Sequence, residues 1–298
     1  MTTGFIGLGV MGEPMCRNLA RKHGPVLGFD PSPDALARLA AEGVRPADTL
    51  ASLARDTEVI FLALPSGTQV EAVCRTLLPA VRPGQAIVDL GTSPVALTRT
   101  LAAQFASHGV QYADAPIART RQAAEDGTLS IMVGADTAMF ARIEPYLACM
   151  ATDITHCGPV GTGQVAKIMN NMVLMQTVVA LSEAVAIGRH AGMDGAALLH
   201  TLAKGSADSF ALRNHGLKSL VPGVFPTRAF SAEYARKDLG YALELAREAG
   251  IPVPGAEVAD ALLAEAIARG DGALYWPVIS RVVAPTTTNV PTTASPPP

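Results

Sequence analysis

Gly4-Phe5-Ile6-Gly7-Leu8-Gly9-Val10-Met11-Gly12 opens the chain, and its reading decides the fold. The apolar run Gly4–Leu8 predicts a strand and Met11–Lys22 has helical spacing, so the glycines sit at a strand-to-helix turn. Gly7, Gly9 and Gly12 form G-x-G-x-x-G. The first permits the tight turn, the second lets backbone approach a pyrophosphate, and the third lets the helix pack close to the strand. The helix N-terminus then faces the phosphates. Val10 and Met11 belong to the same dinucleotide-binding turn. Asp30 ends a second apolar run, Val26–Asp30, 18 residues after Gly12. A carboxylate there accepts hydrogen bonds from ribose hydroxyls and repels a 2′-phosphate. Pro31, Ser32 and Pro33 follow, with no arginine, so NAD is expected over NADP, which stays possible. The competing reading makes Asp30 a helix cap or turn residue.

Outward from this turn, the first half alternates apolar runs with amphipathic segments. Glu58–Leu64, Ala86–Asp89, Val110–Ala115 and Leu129–Val133 read as further strands; Ser32–Ala41 and Pro94–Ser107 read as helices. This alternation predicts an α/β Rossmann-type fold with a doubly wound parallel sheet over residues 1–160. The pattern then changes. Gln164–His190 reads as one long helix, apolar nearly all round, followed by helices at about Gly195–Lys204, Phe210–Leu220, Ser231–Ala249 and Pro254–Ala268. An all-α C-terminal domain is therefore expected over 161–283, for substrate binding and oligomerisation. A helix apolar on all sides needs cover, and the other helices plus a second subunit, in a homodimer or homotetramer, are the expected source. The Pro/Thr/Ser-rich segment 284–298 reads as a disordered tail.

With 298 residues, 49% hydrophobic and 16% charged, the chain has room for two ordinary globular cores. A formal charge of -3 gives no general attraction for nucleic acid or acidic membranes, but leaves room for a local basic pocket. The stretch Ala166–Ala186 contains Lys167, Asn170, Asn171, Gln176 and Glu183, so it reads as a buried helix rather than a membrane span. No secretory signal is visible, since Glu13 and Arg17 interrupt the N-terminal apolar stretch. Cys16, Cys74, Cys149 and Cys157 are scattered and read as reduced core thiols of a cytoplasmic protein; the six histidines have no metal-ligand spacing, and no metal is expected.

Lys167 is the one cation between Arg142 and Arg189, near the start of an otherwise apolar helix. A buried lysine is costly unless paired or functional. Asn171, four residues on, falls on the same helical face. The pair places a proton carrier beside a fixed amide, and desolvation with a positive nicotinamide ring would lower the lysine's pKa into a useful range. The alternatives are a lysine snorkelling to the surface, and Asn170 as the working amide.

Several motifs in order carry a resemblance. Gly4–Leu19 (GFIGLGVMGEPMCRNL), Leu64-Pro65-Ser66, Asp89-Leu90-Gly91-Thr92-Ser93-Pro94, Asp114-Ala115-Pro116, Gly158–Asn171 (GPVGTGQVAKIMNN) and Lys237-Asp238-Leu239 are similar to stretches of the β-hydroxyacid dehydrogenases, the family of 3-hydroxyisobutyrate dehydrogenase and tartronate semialdehyde reductase. The resemblance implies a cofactor lined by Leu64, Pro65, Thr92 and Lys237, a catalytic Lys167 and a working Asn171. Gly91 replaces a usual serine. The family's substrate loop reads D-A-P-V-S-G-G, and its serine and glycine backbone hold the substrate carboxylate. This chain has Ala118, Arg119 and Thr120 there. The loop resembles the sulfolactaldehyde reductase branch, with Ala118 at that branch's glycine. It implies that Arg119 and Thr120 grip a carboxylate or sulfonate; Arg119 as a ligand-free surface charge is the alternative.

The expectation is an NAD-dependent oxidoreductase that interconverts a small anionic 3-hydroxy acid or hydroxysulfonate and its semialdehyde, with Lys167 as general acid/base. An imine reductase of the same architecture is the runner-up, disfavoured by Lys167. A catalytically silent nicotinamide-binding protein is disfavoured by the Lys167–Asn171 pair.

Overall fold

A computed structural model describes residues 2–284 of the chain. The tail expected at 284–298 lies outside them, apart from Ala284. Strands β1 (Thr3–Ile6), β2 (Val26–Phe29), β3 (Val44–Pro46), β4 (Val59–Leu62), β5 (Ala86–Asp89) and β6 (Gln111–Asp114) run parallel. Between them lie α1 (Gly12–His23), α2 (Pro33–Leu39), α3 (Leu50–Asp56), α4 (Gly67–Leu77) and α5 (Val95–Ala106). A second stretch of sheet follows: β7 (Ile117–Ala118), α6 (Arg121–Asp126), β8 (Leu129–Gly134), α7 (Thr137–Leu147) and β9 (Ala151–Gly158). The strand order is β3-β2-β1-β4-β5-β6-β8-β7, with β9 also paired to β8.

The sheet is doubly wound because both of its faces are apolar. Val59–Leu62 and Ala86–Asp89 are buried at every position, as strands covered on two sides must be. One face packs Phe5, Phe61, Val88 and Ala113 against α1 and α7; the other packs Ile6, Ile60, Leu62, Ile87 and Tyr112 against α3, α4 and α5. The doubly wound parallel sheet is extended at one edge by mixed pairing. β8 runs antiparallel to β6 and β7, then parallel to β9. The sequence reading missed β3, β7 and β9. β9, Ala-Thr-Asp-Ile-Thr-His-Cys-Gly, is polar and largely exposed, so it carries no apolar run to announce it.

The second half is helical as expected: α8 (Thr162–His190), α9 (Gly195–Leu202), a π-helical segment (Leu212–Leu220), α10 (Ala232–Ala249) and α11 (Pro254–Ala266). The chain divides into compact units at Asn170/Asn171, ten residues after the expected boundary. The first turns of α8 pack on β8 and so belong to the first unit: a Cβ on Gly163 would lie 2.3 Å from the Met132 carbonyl oxygen. In the second unit, Trp276, Leu239, Leu263 and Leu212 are buried. Among the described residues, α8 is the one helix long and apolar enough to cross a membrane by length and composition, and 39% of its most apolar window is buried within the chain. Val173 and Ile187 on it are 59% and 69% exposed.

Cys16, Cys74 and Cys149 are buried free thiols, and Cys157 is half-buried. Burial pushes Cys16 up to about 12, which leaves it an inert thiol.

Candidate active site

The strand order reverses between β1 and β4, and a ligand crevice forms at the carboxyl ends of parallel strands at such a point. The glycine turn between β1 and α1 sits there. Gly7 has φ +93, and a Cβ on it would lie 2.4 Å from the Ala63 carbonyl oxygen; on Gly12 it would lie 1.9 Å from that of Gly7. Gly9 is different: it is exposed, and a Cβ there meets nothing within 4 Å. The turn is therefore closed by two glycines and open at the third. Met11, the residue before α1, gives no side-chain cap, so the helix presents backbone amides toward that open side. This is the geometry a pyrophosphate fits.

Asp30 lies just after β2 and holds the turn from beside it. One carboxylate oxygen accepts from the Leu8 amide at 2.7 Å and the other from the Ser32 amide at 2.8 Å. Each oxygen keeps a second acceptor position, which ribose hydroxyls can use. The turn and ribose readings of Asp30 are thus compatible.

The loops after β4 and β5 come alongside. Leu64 is half-buried, Pro65 exposed and Thr92 half-buried. A Cβ on Gly91 would lie 3.0 Å from the Leu64 carbonyl oxygen, so the departure to glycine at that position keeps these loops close. Asp89 folds the second loop: its carboxylate accepts from the Gly91 amide at 2.9 Å and from the Ser93 hydroxyl at 2.8 Å. Buried Gln164, on α8, clamps the same loop, accepting from the Ser93 amide at 3.1 Å and donating to the Gly91 carbonyl at 2.8 Å. Thr92 is held between these contacts.

Asp114, at the end of β6, fixes the start of α8. Its two carboxylate oxygens accept from the Gly161 amide at 2.6 Å and the Gln164 amide at 2.7 Å. Burial pushes this carboxyl up to about 6, against the backbone donors that pull it down. Gly134 leaves room for it, since a Cβ there would lie 2.4 Å from a carboxylate oxygen. Lys167, half-buried, stands on the next turn of α8. Sequence reasoning missed Asp89, Asp114 and Gln164 as site-building residues. The signal for the first two was an acid at the end of a mainly apolar run, a position it occupies at such cost only with partners.

The substrate loop holds both of its polar side chains against the protein. Thr120 caps α6, its hydroxyl accepting from the Ala123 amide at 3.4 Å. The Arg119 guanidinium, expected on the substrate's acid group, donates to the Thr128 carbonyl at 2.6 Å and the Thr152 hydroxyl at 3.1 Å, and pairs with the Asp153 carboxylate. The physical reason is proximity: β7 pairs with β8 and β8 with β9, which brings that carboxylate across the edge of the sheet.

In the second unit, Asn171 and Asp238 are 2% and 3% exposed, and the Asn171 amide nitrogen donates to the Asp238 carboxylate at 2.8 Å. That bond fixes which end of the amide faces away from Asp238. Lys237 pairs with the other Asp238 oxygen at 3.0 Å and lies 5.6 Å and 5.4 Å from the ring centres of Tyr234 and Tyr241. Asp238 reads in sequence only as part of the Lys237-Asp238-Leu239 motif; burial and its bonds to both neighbours make it the organiser of this group. Asn170, the competing amide, is exposed. Ser209 and Asp208, in the polar loop before the π-helical segment, are occupied locally: Ser209 caps Leu212 at 3.0 Å and Asp208 pairs with Arg213 at 2.9 Å. Among the described residues, no cluster of His, Cys, Asp and Glu is arranged to hold a metal ion.

The doubly wound sheet, the open glycine turn and the Asp30 carboxylate beside it define a dinucleotide-binding fold of the kind that oxidoreductases use. Residues 2–158 match the family model of the NAD-binding domain of 6-phosphogluconate dehydrogenase, and residues 161–275 match that described as NAD-binding of NADP-dependent 3-hydroxyisobutyrate dehydrogenase. The chain is 34% identical over 272 residues to 2-(hydroxymethyl)glutarate dehydrogenase of Eubacterium barkeri, covering 90% of each. It is 33% identical over 281 residues to 2-hydroxy-3-oxopropionate reductase of Escherichia coli, covering 92% of this chain and 94% of that one. The solved structure of Mycobacterium tuberculosis 3-hydroxyisobutyrate dehydrogenase with L-serine superposes with a TM-score of 0.87 at 31% identity, over 95% of this chain and 99% of that one. The chain belongs to the 3-hydroxyisobutyrate dehydrogenase-like β-hydroxyacid dehydrogenase family, and it is an NAD(P)-dependent dehydrogenase of hydroxy acids.

Proposed function

We propose that this enzyme interconverts a small anionic 3-hydroxy acid and its semialdehyde, with NAD(H) preferred and Lys167 as general acid/base. The observation that carries the reading is the locked start of α8, where Asp114 holds the first amides of the helix that bears Lys167 and Gln164 ties that helix to the loop that bears Thr92. A general acid is useful only where its distance from the reacting oxygen is fixed.

The bound dinucleotide supplies or accepts the hydride. Gly7, Gly9, Val10, Met11 and Gly12 hold its pyrophosphate. Asp30 accepts from its ribose and sets the preference against a 2′-phosphate. Leu64, Pro65, Thr92 and Lys237 complete its binding. During reduction Lys167 gives a proton to the carbonyl oxygen as negative charge develops there; during oxidation it takes the hydroxyl proton back. Asn171, oriented by Asp238, holds the same substrate oxygen through its amide. The loop Ala118–Thr120 receives the acid group.

The relatives support a substrate of this size: their names give 2-(hydroxymethyl)glutarate and 2-hydroxy-3-oxopropionate, and the M. tuberculosis structure is named with L-serine, itself a 3-hydroxy acid. A hydroxysulfonate, as in the sulfolactaldehyde reductase branch that the loop Ala118–Thr120 resembles, is the second candidate. The enzyme works in the cytoplasm as a homodimer or homotetramer, with the exposed apolar flank of α8 covered by a second copy. It has no nucleic-acid, membrane or metal partner. The assay is turnover of NADH with tartronic, methylmalonic and succinic semialdehydes and sulfolactaldehyde. Turnover of at least one of them is expected, and inactivity on all four overturns the reading.

A further inference from the structure

Arg119 has φ +85, a left-handed backbone that a residue with a Cβ adopts at a cost. It follows the two-residue strand β7, which is too short to impose that conformation. The side chain supplies what the backbone lacks. One guanidinium nitrogen donates to the Thr128 carbonyl and the Thr152 hydroxyl, at 2.6 and 3.1 Å, and the other pairs with Asp153. Thr128 precedes β8, and Thr152 and Asp153 lie on β9, so a single planar group ties the loop to both strands. The loop's other end is also held: Thr120 caps α6, and Asn18 on α1 donates to the Ala124 carbonyl at 2.8 Å.

We propose that Arg119 is a positioning residue, anchored by Asp153, whose tether pins the substrate loop in the left-handed turn that a glycine would adopt freely. In this arrangement the loop's backbone, rather than the guanidinium, faces the substrate's acid group. An exposed ion pair alone is worth little. The fixed fork and the backbone carbonyl make this one geometric as well as electrostatic. The proposal rests on the reading that Ala118–Thr120 receives the acid group.

The test compares Asp153→Ala, Asp153→Asn, Arg119→Ala and Arg119→Gly. Releasing the tether with Asp153→Ala or Arg119→Ala is expected to raise KM for an anionic semialdehyde about 5- to 30-fold, the equilibrium equivalent of the left-handed penalty, with a smaller change in kcat. Arg119→Gly is expected to recover most of the loss that Arg119→Ala causes, because glycine needs no tether there. Hydrogen exchange of the amides of residues 118–124, with no substrate present, is expected to quicken in Asp153→Ala and, less so, in Asp153→Asn. Equal losses in Arg119→Gly and Arg119→Ala on the anionic substrate, with a neutral aldehyde spared in both, would place the guanidinium on the substrate and overturn the proposal. Unchanged exchange in both Asp153 variants also overturns it. If the wild-type enzyme turns over none of the anionic aldehydes, the functional reading fails, and the exchange measurement still decides the tether.

Discussion

Replacing Asp114 by Ala tests how far the site depends on one buried carboxylate. The change strips the acceptors from the Gly161 and Gln164 amides, which lie 2.6 and 2.7 Å away. A buried donor left without a partner costs about 1–3 kcal/mol, and two of them cost about 4 kcal/mol together. The small cavity beside Gly134 adds about 1 kcal/mol. Relief of the buried charge works in the other direction. The carboxyl is raised from 3.8 to about 6, so at pH 7 the native state carries about 3 kcal/mol of ionisation penalty that the variant escapes. The loss wins, and a net destabilisation of about 2 kcal/mol is expected at pH 7. The sign of the pH dependence follows from linkage. Between pH 3.8 and about 6 the native carboxyl holds a proton that the unfolded chain has released, so the wild type gains stability from this group as pH falls through that window. The variant cannot, and its deficit is expected to widen on acidification. Urea unfolding at pH 7 and pH 5 measures both. The kcat of the same variant should drop, because the first turn of α8 positions Gln164 and Lys167. A deficit below about 0.5 kcal/mol, or one that shrinks at pH 5, refutes the reasoning, since two orphaned donors cannot cost so little.

Three further outcomes are expected. Lys167→Ala lowers kcat by a factor of about 10² or more, the usual worth of a positioned general acid, with little change in cofactor affinity by fluorescence titration. For Asp30, the wild type has the higher kcat/KM with NADH, and Asp30→Asn narrows the gap to NADPH in steady-state kinetics by removing the charge that repels a 2′-phosphate. His215 is 6% exposed, and the Tyr275 hydroxyl lies 2.6 Å from its Nδ1. Burial first, then the Lys218 charge, lowers its pKa from 6.5 to about 4. The unfolded chain therefore takes up a proton that the native state refuses, and stability present above pH 6.5 is lost as pH falls toward 4, by up to about 3 kcal/mol. His215→Gln should flatten that slope in urea unfolding between pH 7 and pH 4.5.

The first half of the fold was legible because its information is local. The apolar runs of β1, β2, β4, β5 and β6, and the glycine spacing at Gly7, Gly9 and Gly12, each announce one element within a few residues. Asp30 and Lys167 were legible for a related reason: a charge set against an apolar background marks itself. Edge strands had no such signal. β9 is mostly polar and half of its residues are exposed, and β7 is two residues long; both become strands because β8 offers them hydrogen bonds.

Sequence by itself determined the class of fold, the cofactor turn, the long helix and the lysine on it. Tertiary structure decided which charges are spent on the protein itself. Arg119 reads in sequence as a guanidinium for the substrate's acid group, four residues beyond the predicted strand Val110–Ala115, and only the pairing of β7 with β8 and β8 with β9 brings Asp153 within its reach. Asp114 and Asp238 read as an acid in a loop motif and an acid beside a lysine. Folding buries both and aims them at α8, one at its first amides and the other at the Asn171 side chain. Periodicity reports which face of an element is apolar, whereas the partner of a buried charge is chosen by residues far along the chain: Asp114 and Gln164 are 50 positions apart, and Asn171 and Asp238 are 67.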